Sequence, residues 1–582
     1  MPSLASPLLE TAAARSAGPF PTGRRELDSA VTRLRENATR FARLTLEQRI
    51  ELANTLLAGY LAIAEPSVHA ACAAKGIPLG TPLEGEEWAL GPWMVVRHLR
   101  LVRQSLLALQ HTGKTEVGKL GRTADGRLTV QVFPAGPIDG MLFNGVRVDV
   151  HLQDGITEKE FHATRARFYK RADHVGAVVL VLGAGNINAI VSHDVITKMF
   201  NEGRVCLIKM NPVNAYFGPF LEVAFRAAIT EGFVQIVYGG ADEGAYLVEH
   251  PGIDEIHITG SDRTYDQIVW GAPGPERDAR KARGQPLVTK PITAELGNVS
   301  PVLVVPGTYP AKALRYQGAD IAGAATCNAS FNCNAAKMVV TGRGWVQRAE
   351  FLAGLEQSLS QTALRQAYYP GAQERWHRLA ERRRNPHNIG VPKQGELPWS
   401  LVAGLDANDR NEPLFSTEAF CGILGETELA SSDPVEFLDQ AVTFANERLW
   451  GTLSAGIVID PKMLRDPRIA EALERAILRL RYGAVTVNAW SGYVFAFGTP
   501  PWGAHPSSSP ADIQSGTGWV HNTSMIEGIE KAVLRHPLVT TPRPSYQAAH
   551  RTANTLMRRM TYLEEQASWS RVPGVLAAAM RA

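Results

Sequence analysis

Apolar residues recur at helical spacing over residues 26–64, where Val31, Leu34, Ala38 and Phe41 share one face and Thr45-x-x-Gln48 predicts a capping box opening the next helix. Over 113–165 the pattern changes to alternation, as in Arg127-Leu128-Thr129-Val130-Gln131-Val132-Phe133, amid Gly and Asp. That predicts hairpins standing off the main body. From Val175 a regular series begins: strand 175–183, helix 191–201, strand 205–210, helix 217–230, strand 234–238, helix 241–249 and strand 255–259. Strand, helix, strand repeated at this spacing predicts a parallel sheet covered on both faces. A second α/β series follows, with strands near 302–305, 337–341, 453–459 and 484–488 and helices near 345–361 and 433–448. Between them, 382–413 is rich in Pro, Gly, Asn and Asp and reads as loop. Past Asn522, the residues Ala549, Ala553, Leu556, Met557, Met560 and Leu563 fall on one helical face. Such a helix either packs on the body or serves to bind a partner or gate the substrate.

Length adds that one hydrophobic core does not suffice: 582 residues call for several domains. Composition, at 45% hydrophobic and 20% charged, is that of a soluble globular protein. Sixty basic residues against fifty-seven acidic ones leave a net charge of +3, with no footprint for nucleic acid or an anionic membrane. The basic clusters Arg382-Arg383-Arg384 and Arg277 to Arg283 read as solvated loop. The apolar stretch 175–191, broken by Asn186 and Asn188, reads as a strand running into a loop rather than a membrane span. Five cysteines, at 72, 206, 327, 333 and 421, make neither a disulfide framework nor a metal-binding spacing, which points to a reducing, cytoplasmic setting. Residues Met1 to Ala5 do not read as the basic start and continuous apolar run of a secretory signal, although Ser, Ala and Arg up to Arg25 have some transit-peptide character.

Chemistry enters with Cys333, at the end of Asn328-Ala329-Ser330-Phe331-Asn332-Cys333 and downstream of Ile292-Thr293-Ala294-Glu295-Leu296-Gly297. A cysteine following a carboxylate suggests a thiol nucleophile served by a general base, although a lone cysteine is more often a small buried apolar residue. The loop Gly183-Ala184-Gly185-Asn186-Ile187-Asn188 follows a buried strand but lacks the third glycine of a dinucleotide fingerprint, and the next strand ends in Lys209 instead of an acid. Asn186 then reads either as a plain turn residue or as a side-chain amide aimed at a developing oxyanion.

Seven ordered matches place these residues in context. The Asn186 to Lys209 interval, Ile258-Thr259-Gly260-Ser261, Glu295-Leu296-Gly297-Asn298, Asn328 to Cys333, Glu418-Ala419-Phe420-Cys421, Thr486-Val487-Asn488 and Ser515-Gly516-Thr517-Gly518 follow one another along the chain. In that order they resemble the motifs of the aldehyde dehydrogenase superfamily, among them Phe-Thr-Gly-Ser, Glu-Leu-Gly-Gly, Asn-x-Gly-Gln-x-Cys and Glu-x-Phe-Gly. The resemblance implies Cys333 as nucleophile, Asn186 with the Cys333 N–H as oxyanion hole and Glu295 as general base. It also implies NAD or NADP held by Lys209 on the adenosine ribose, Gly260 and Ser261 near the pyrophosphate, Glu418 on the nicotinamide ribose and Phe420 against the nicotinamide. Cys327 is the competing nucleophile. The motif asparagine five residues upstream selects Cys333 through Asn328, whereas for Cys327 that position is Ala322.

Departures mark a divergent branch. Ala184-Gly185 stands for the family's Pro-Trp, Asn298 for its second glycine beside the base, and Pro501-Trp502-Gly503-Ala504 only loosely for its Pro-Phe-Gly-Gly; the interval from Glu295 to Cys333 is a few residues longer than is usual in the family. Trp490, Tyr493, Phe495 and Phe497 either line a tunnel for a bulky aldehyde or pack as core.

The expected fold class is therefore α/β and aldehyde dehydrogenase-like: a Rossmann-type parallel-sheet cofactor domain, an α/β catalytic domain and a small β oligomerisation element. The expected division is a disordered segment at 1–25, a cofactor domain at 26–294 with 114–165 supplying oligomerisation hairpins, and a catalytic domain at 295–492. Residues 493–522 would return to the oligomerisation and cofactor domains, and 523–582 would form a helical tail. The expected activity is NAD(P)-dependent oxidation of a small-molecule aldehyde to a carboxylic acid by a homodimer or homotetramer, with no metal, nucleic acid or membrane involved. Two rivals are a CoA-acylating dehydrogenase or acyl reductase of the same fold, against which Glu295 argues, and a non-catalytic scaffold, which has no need of Cys333, Glu295 and Asn186 together.

Overall fold

The continuous apolar runs become the inner strands of two sheets, because a Val, Leu and Ile run without polar alternation must be covered on both faces. The computed structural model describes residues 20–381 and 386–581. One sheet has six strands, in the order Gly516–Thr517, Ile292–Leu296, Glu255–Gly260, Val178–Leu182, Val205–Lys209 and Val234–Val237. All are parallel except Gly516–Thr517, which runs antiparallel to Ile292–Leu296. Gly516, at φ 116°, is required there: a Cβ would collide with the Ala294 carbonyl.

The second sheet has eleven strands. Its parallel centre runs Ile529–Arg535, Ala484–Val487, Ser454–Val458, Ser300–Val304, Ala336–Gly342, Ile423–Leu429 and Trp399–Leu405. Antiparallel strands flank it, His387–Ile389 at one edge and Arg147–Leu152, Leu128–Phe133 and Leu120–Arg122 at the other. The expected α/β fold with a parallel-sheet unit is what forms, with corrections: His387–Ile389 and Trp399–Leu405 are strands inside 382–413, which reads as loop in sequence, and Arg277 to Arg283 lie in helix Pro275–Arg283. The 113–165 hairpins do not stand off the body; they extend the large sheet. The stretch after 522 is not simply a helical tail, since Ile529–Arg535 is the strand that joins those hairpins to the parallel centre. Its sequence hides this because Lys531 is fully buried, and its ammonium is satisfied by the carbonyls of Ile477 (3.1 Å), Leu478 (2.9 Å) and Leu480 (2.5 Å).

Helices Arg24–Ala42 and Leu46–Ala74 begin as the sequence predicts, with Leu34, Ala38 and Phe41 buried and the Thr45–Gln48 capping box closed at 3.0 and 3.2 Å. Leu46–Ala74 is long and apolar enough, by length and composition, to cross a membrane; here it packs on Met94–Thr112. The tail helix Ala553–Leu563 docks on Glu84–Trp88 and buries Met557, Met560 and Leu563. Glu564 then meets Arg97 at 2.7 Å inside the molecule, and Arg97 forks onto Asp139 at 2.7 and 2.9 Å. The segment expected to be disordered, 1–25, lies outside the described residues as far as 19, and so does Arg382-Arg383-Arg384.

Candidate active site

Two chain segments meet where the sheets adjoin. Glu295 is the penultimate residue of Ile292–Leu296, locked in register opposite Thr259 and Gly516. Cys333 lies in the turn between helix Ala311–Thr326 and strand Ala336–Gly342. Its Sγ donates to Glu295 Oε1 at 3.6 Å. It is also the one cysteine of the five that is not fully buried; Cys327 is 3% exposed at the helix end, and all five are free thiols.

The turn before Cys333 is strained. Asn328, Ala329 and Ser330 stand in succession at φ 53°, 54° and 69°, a left-handed run that costs about 1–2 kcal/mol per non-glycine residue. Buried polar contacts hold it. The Asn328 side chain uses its full capacity, with Nδ2 donating to the carbonyls of Asn186 and Phe331 (3.0 Å each) and Oδ1 accepting from Lys75 Nζ and Tyr368 OH (3.0 Å each). Its backbone N–H donates to Glu86 Oε2 at 3.1 Å, and Glu86 in turn pairs with Arg365 at 2.8 Å. Lys337 ties down Ser330 through its carbonyl (3.0 Å) and hydroxyl (2.8 Å). The Lys75 charge is balanced inside by Glu87 at 2.9 Å.

Asn186 belongs to the same knot. Its Nδ2 donates to the Phe331 carbonyl at 2.9 Å, two residues before Cys333, and its own carbonyl accepts from Asn328 and from Tyr368 OH at 3.0 Å each. The structure therefore gathers Cys333, Glu295 and Asn186 around one turn.

Burial pushes the Glu295 carboxyl up to about 8, with the nearby Asp194 charge adding; hydrogen bonds from Trp502 and Cys333 pull it back. Burial likewise drives the Cys333 thiol up, reinforced by Glu295 and Glu418. Glu295 Oε1 accepts from Trp502 Nε1 at 2.9 Å, whereas Oε2 is buried without a partner.

The remaining residues singled out from sequence line the adjoining strand ends. Lys209 closes Val205–Lys209, mostly buried, with its carbonyl accepting from the Gly183 N–H at 3.2 Å. Burial lowers its pKa, with Glu243 opposing. Gly260 ends its strand facing open space, and Ser261 caps helix Asp262–Trp270 by accepting from Thr264 N–H at 3.1 Å. Glu418 lies over Gly297, where a Cβ would collide with its carboxylate; Oε1 is buried and unpartnered, and burial raises its pKa against the pull of Lys337. Phe420, at φ 43°, sets its ring 5.7 Å from Phe331 and 5.0 Å from Tyr369.

Of the four aromatic residues left between tunnel and core, Phe495 and Phe497 are buried, and Phe497 stacks on Phe133 at 3.8 Å. Trp490 and Tyr493 are half-buried and meet Tyr546 of the C-terminal segment at 5.0 and 5.8 Å. Trp490 Nε1 also donates to the Asn334 carbonyl at 2.8 Å, beside Cys333. Sequence reasoning missed Lys75, Glu86, Arg365, Tyr368 and Lys337, which carry no motif. It met Trp502 only as an imperfect match, although an indole where a phenyl ring is expected was itself the signal.

Residues 160–371 match the model of the aldehyde dehydrogenase family. A chloroplastic betaine aldehyde dehydrogenase of Beta vulgaris is 34% identical over 86 residues, which are 15% of this chain and 15% of that protein. The chain thus aligns with only 15% of the length of this curated relative. NADP-dependent glyceraldehyde-3-phosphate dehydrogenase from Bacillus halodurans, complexed with NADP, superposes with a TM-score of 0.58 at 17% identity, covering 88% of this chain and 91% of its own. Aldehyde dehydrogenase C from Pseudomonas syringae, complexed with NAD+ and octanal, gives 0.59 at 17% identity over 87% and 88%. At such identities these two likenesses are of fold. Residues 160–371 are thus similar to the aldehyde dehydrogenase family, and the chain shares the fold of these solved structures.

Proposed function

We propose that this protein oxidises an aldehyde to a carboxylic acid with NAD or NADP, through a thiohemiacetal and then a thioester on Cys333. The observation that carries the reading is the 3.6 Å approach of the Cys333 thiol to Glu295 beside a turn to which Asn186 is tied. Cys333 passes its proton to Glu295, which releases it to solvent before hydrolysis, and the sulfur bonds to the carbonyl carbon as the C=O pair moves onto oxygen, with the Asn186 amide and the Cys333 N–H stabilising the oxyanion. After oxidation, water adds to the thioester carbon, Glu295 takes the water proton, and the C–S bond breaks to release the acid and the thiolate.

The residues present suit a dinucleotide. Lys209 has a side chain to offer, Gly260 leaves open space at a helix start, and Glu418 Oε1 lacks a partner. Lys209, Gly260, Ser261, Glu418 and Phe420 would hold the cofactor, which when bound supplies the hydride acceptor. The relatives support this choice, since solved ones carry NADP or NAD+. Five free thiols agree with a cytoplasmic setting, and a homodimer or homotetramer is the proposed assembly, to be checked by light scattering.

The test is a cofactor-reduction screen with short, long-chain and aromatic aldehydes, with and without CoA. Turnover without CoA is expected. Turnover only with CoA would move the assignment to acyl transfer, and no cofactor reduction with any aldehyde would leave a scaffold.

A further inference from the structure

We propose that Trp502 is a positioning residue that fixes the Glu295 carboxylate by its indole N–H, holding Oε1 and leaving Oε2 as the oxygen that takes the proton from water. This rests on the reading above that Glu295 is the base.

The geometry is specific. Trp502 is fully buried and Glu295 nearly so, and their hydrogen bond is 2.9 Å. The indole has little freedom to move: Pro501–Trp502 pairs antiparallel with Val520–His521, and Phe495 packs edge-on against the ring at 5.5 Å. Cys333 donates to the same oxygen, so both donors converge on Oε1. Once Cys333 is acylated it has no proton to give, and the indole alone then marks Oε1 as the accepting, carbonyl-like oxygen, so the carboxyl proton resides on and exchanges through Oε2, which is buried and free. A glutamate side chain on a strand end otherwise swings about its terminal torsion, and a swung carboxylate presents neither oxygen to the thioester. Phenylalanine keeps an aromatic ring at this position but is smaller and has no donor.

An indole N–H also favours the ionised carboxylate, so it keeps the base usable nearer neutral pH. Other groups face Glu295 as well: Cys333 from the turn and Asp194 from helix Asn188–Phe200, the latter held 3.3 Å from His257 of the neighbouring strand. All of them remain when only Trp502 is changed.

The experiment compares wild type, Trp502→Phe and Glu295→Gln by stopped-flow cofactor absorbance across pH. Trp502→Phe is expected to keep a first-turnover burst near one equivalent, to lose about tenfold in steady-state rate, and to shift the alkaline-rising midpoint of that rate up by about one pH unit. An unshifted midpoint with an unchanged steady-state rate would overturn the role of Trp502. So would a burst that falls as much as the steady state, which marks a merely structural ring. A Glu295→Gln variant that turns over normally would instead remove Glu295 as the base, whatever Trp502 does. If Trp502→Phe does not fold, ¹⁵N-indole spectra of the full chain serve. One indole N–H should titrate with the midpoint of the rate and stop doing so in Glu295→Gln, and the absence of such a resonance would also overturn the inference.

Discussion

Cys333 Sγ and Glu295 Oε1 approach to 3.6 Å across the junction of two sheets, the thiol carried by the turn that enters the eleven-stranded sheet and the carboxylate by a strand of the six-stranded one. Any relative shift of the sheets changes this distance directly. The buried contacts around Asn328 therefore bear on chemistry as well as on stability.

Replacing Cys333 by alanine should lower aldehyde oxidation by on the order of a thousandfold or more while cofactor binding, followed by fluorescence titration, stays within about twofold. Cys327→Ala should keep most of the activity, because that thiol is buried at a helix end. The reverse pattern would show that the motif register is wrong.

Glu295→Gln should reduce about one equivalent of cofactor per site and then stall with an acyl group on Cys333, since an amide takes no proton from water. Intact-mass measurement after the burst should show the acyl adduct. Steady turnover by this variant, with no adduct, would exclude the hydrolytic role.

The steady-state rate should rise with pH. A base whose carboxyl is pushed up to about 8 is mostly protonated and inactive at neutrality, ionised to only about one tenth at pH 7, and becomes competent as pH passes 8. A rate that is flat between pH 6 and about 9 under deacylation-limited conditions would contradict this.

NADP should be accepted at least as well as NAD. The position three residues after Lys209 is Pro212, which opens a short 3₁₀ turn and offers no carboxylate to repel a 2′-phosphate. The nearby Glu243 has one oxygen committed to the Gly240 N–H at 2.7 Å. A kcat/KM about tenfold higher for NAD would refute the expectation.

Lys75→Met should destabilise the protein by about 3–5 kcal/mol, because it leaves Glu87 charged and buried without its partner. Tyr368→Phe, which removes one hydroxyl donating to Asn186 and Asn328, should cost about 1–2 kcal/mol. Urea unfolding midpoints give both values. A loss below about 1 kcal/mol for Lys75→Met would mean that the pair relaxes into solvent.

The sequence by itself determined the strands, helices and ordered motifs, because these are local: apolar period, caps, and residue types at fixed spacing. Val178–Leu182, Val205–Lys209, the Thr45–Gln48 cap and the Met557–Met560–Leu563 face could all be read directly from it. Long-range pairing was not legible. Ile529–Arg535 became a central strand because the buried Lys531 finds three carbonyls more than fifty residues away in sequence. The left-handed run at Asn328–Ser330 likewise has no signature in its own residues, since what stabilises it comes from Lys75, Glu86, Tyr368 and Lys337. Only the tertiary structure could bring the Trp502 indole to Glu295, over two hundred residues away along the chain, because a buried hydrogen bond depends on where two chain segments end in space, not on their order.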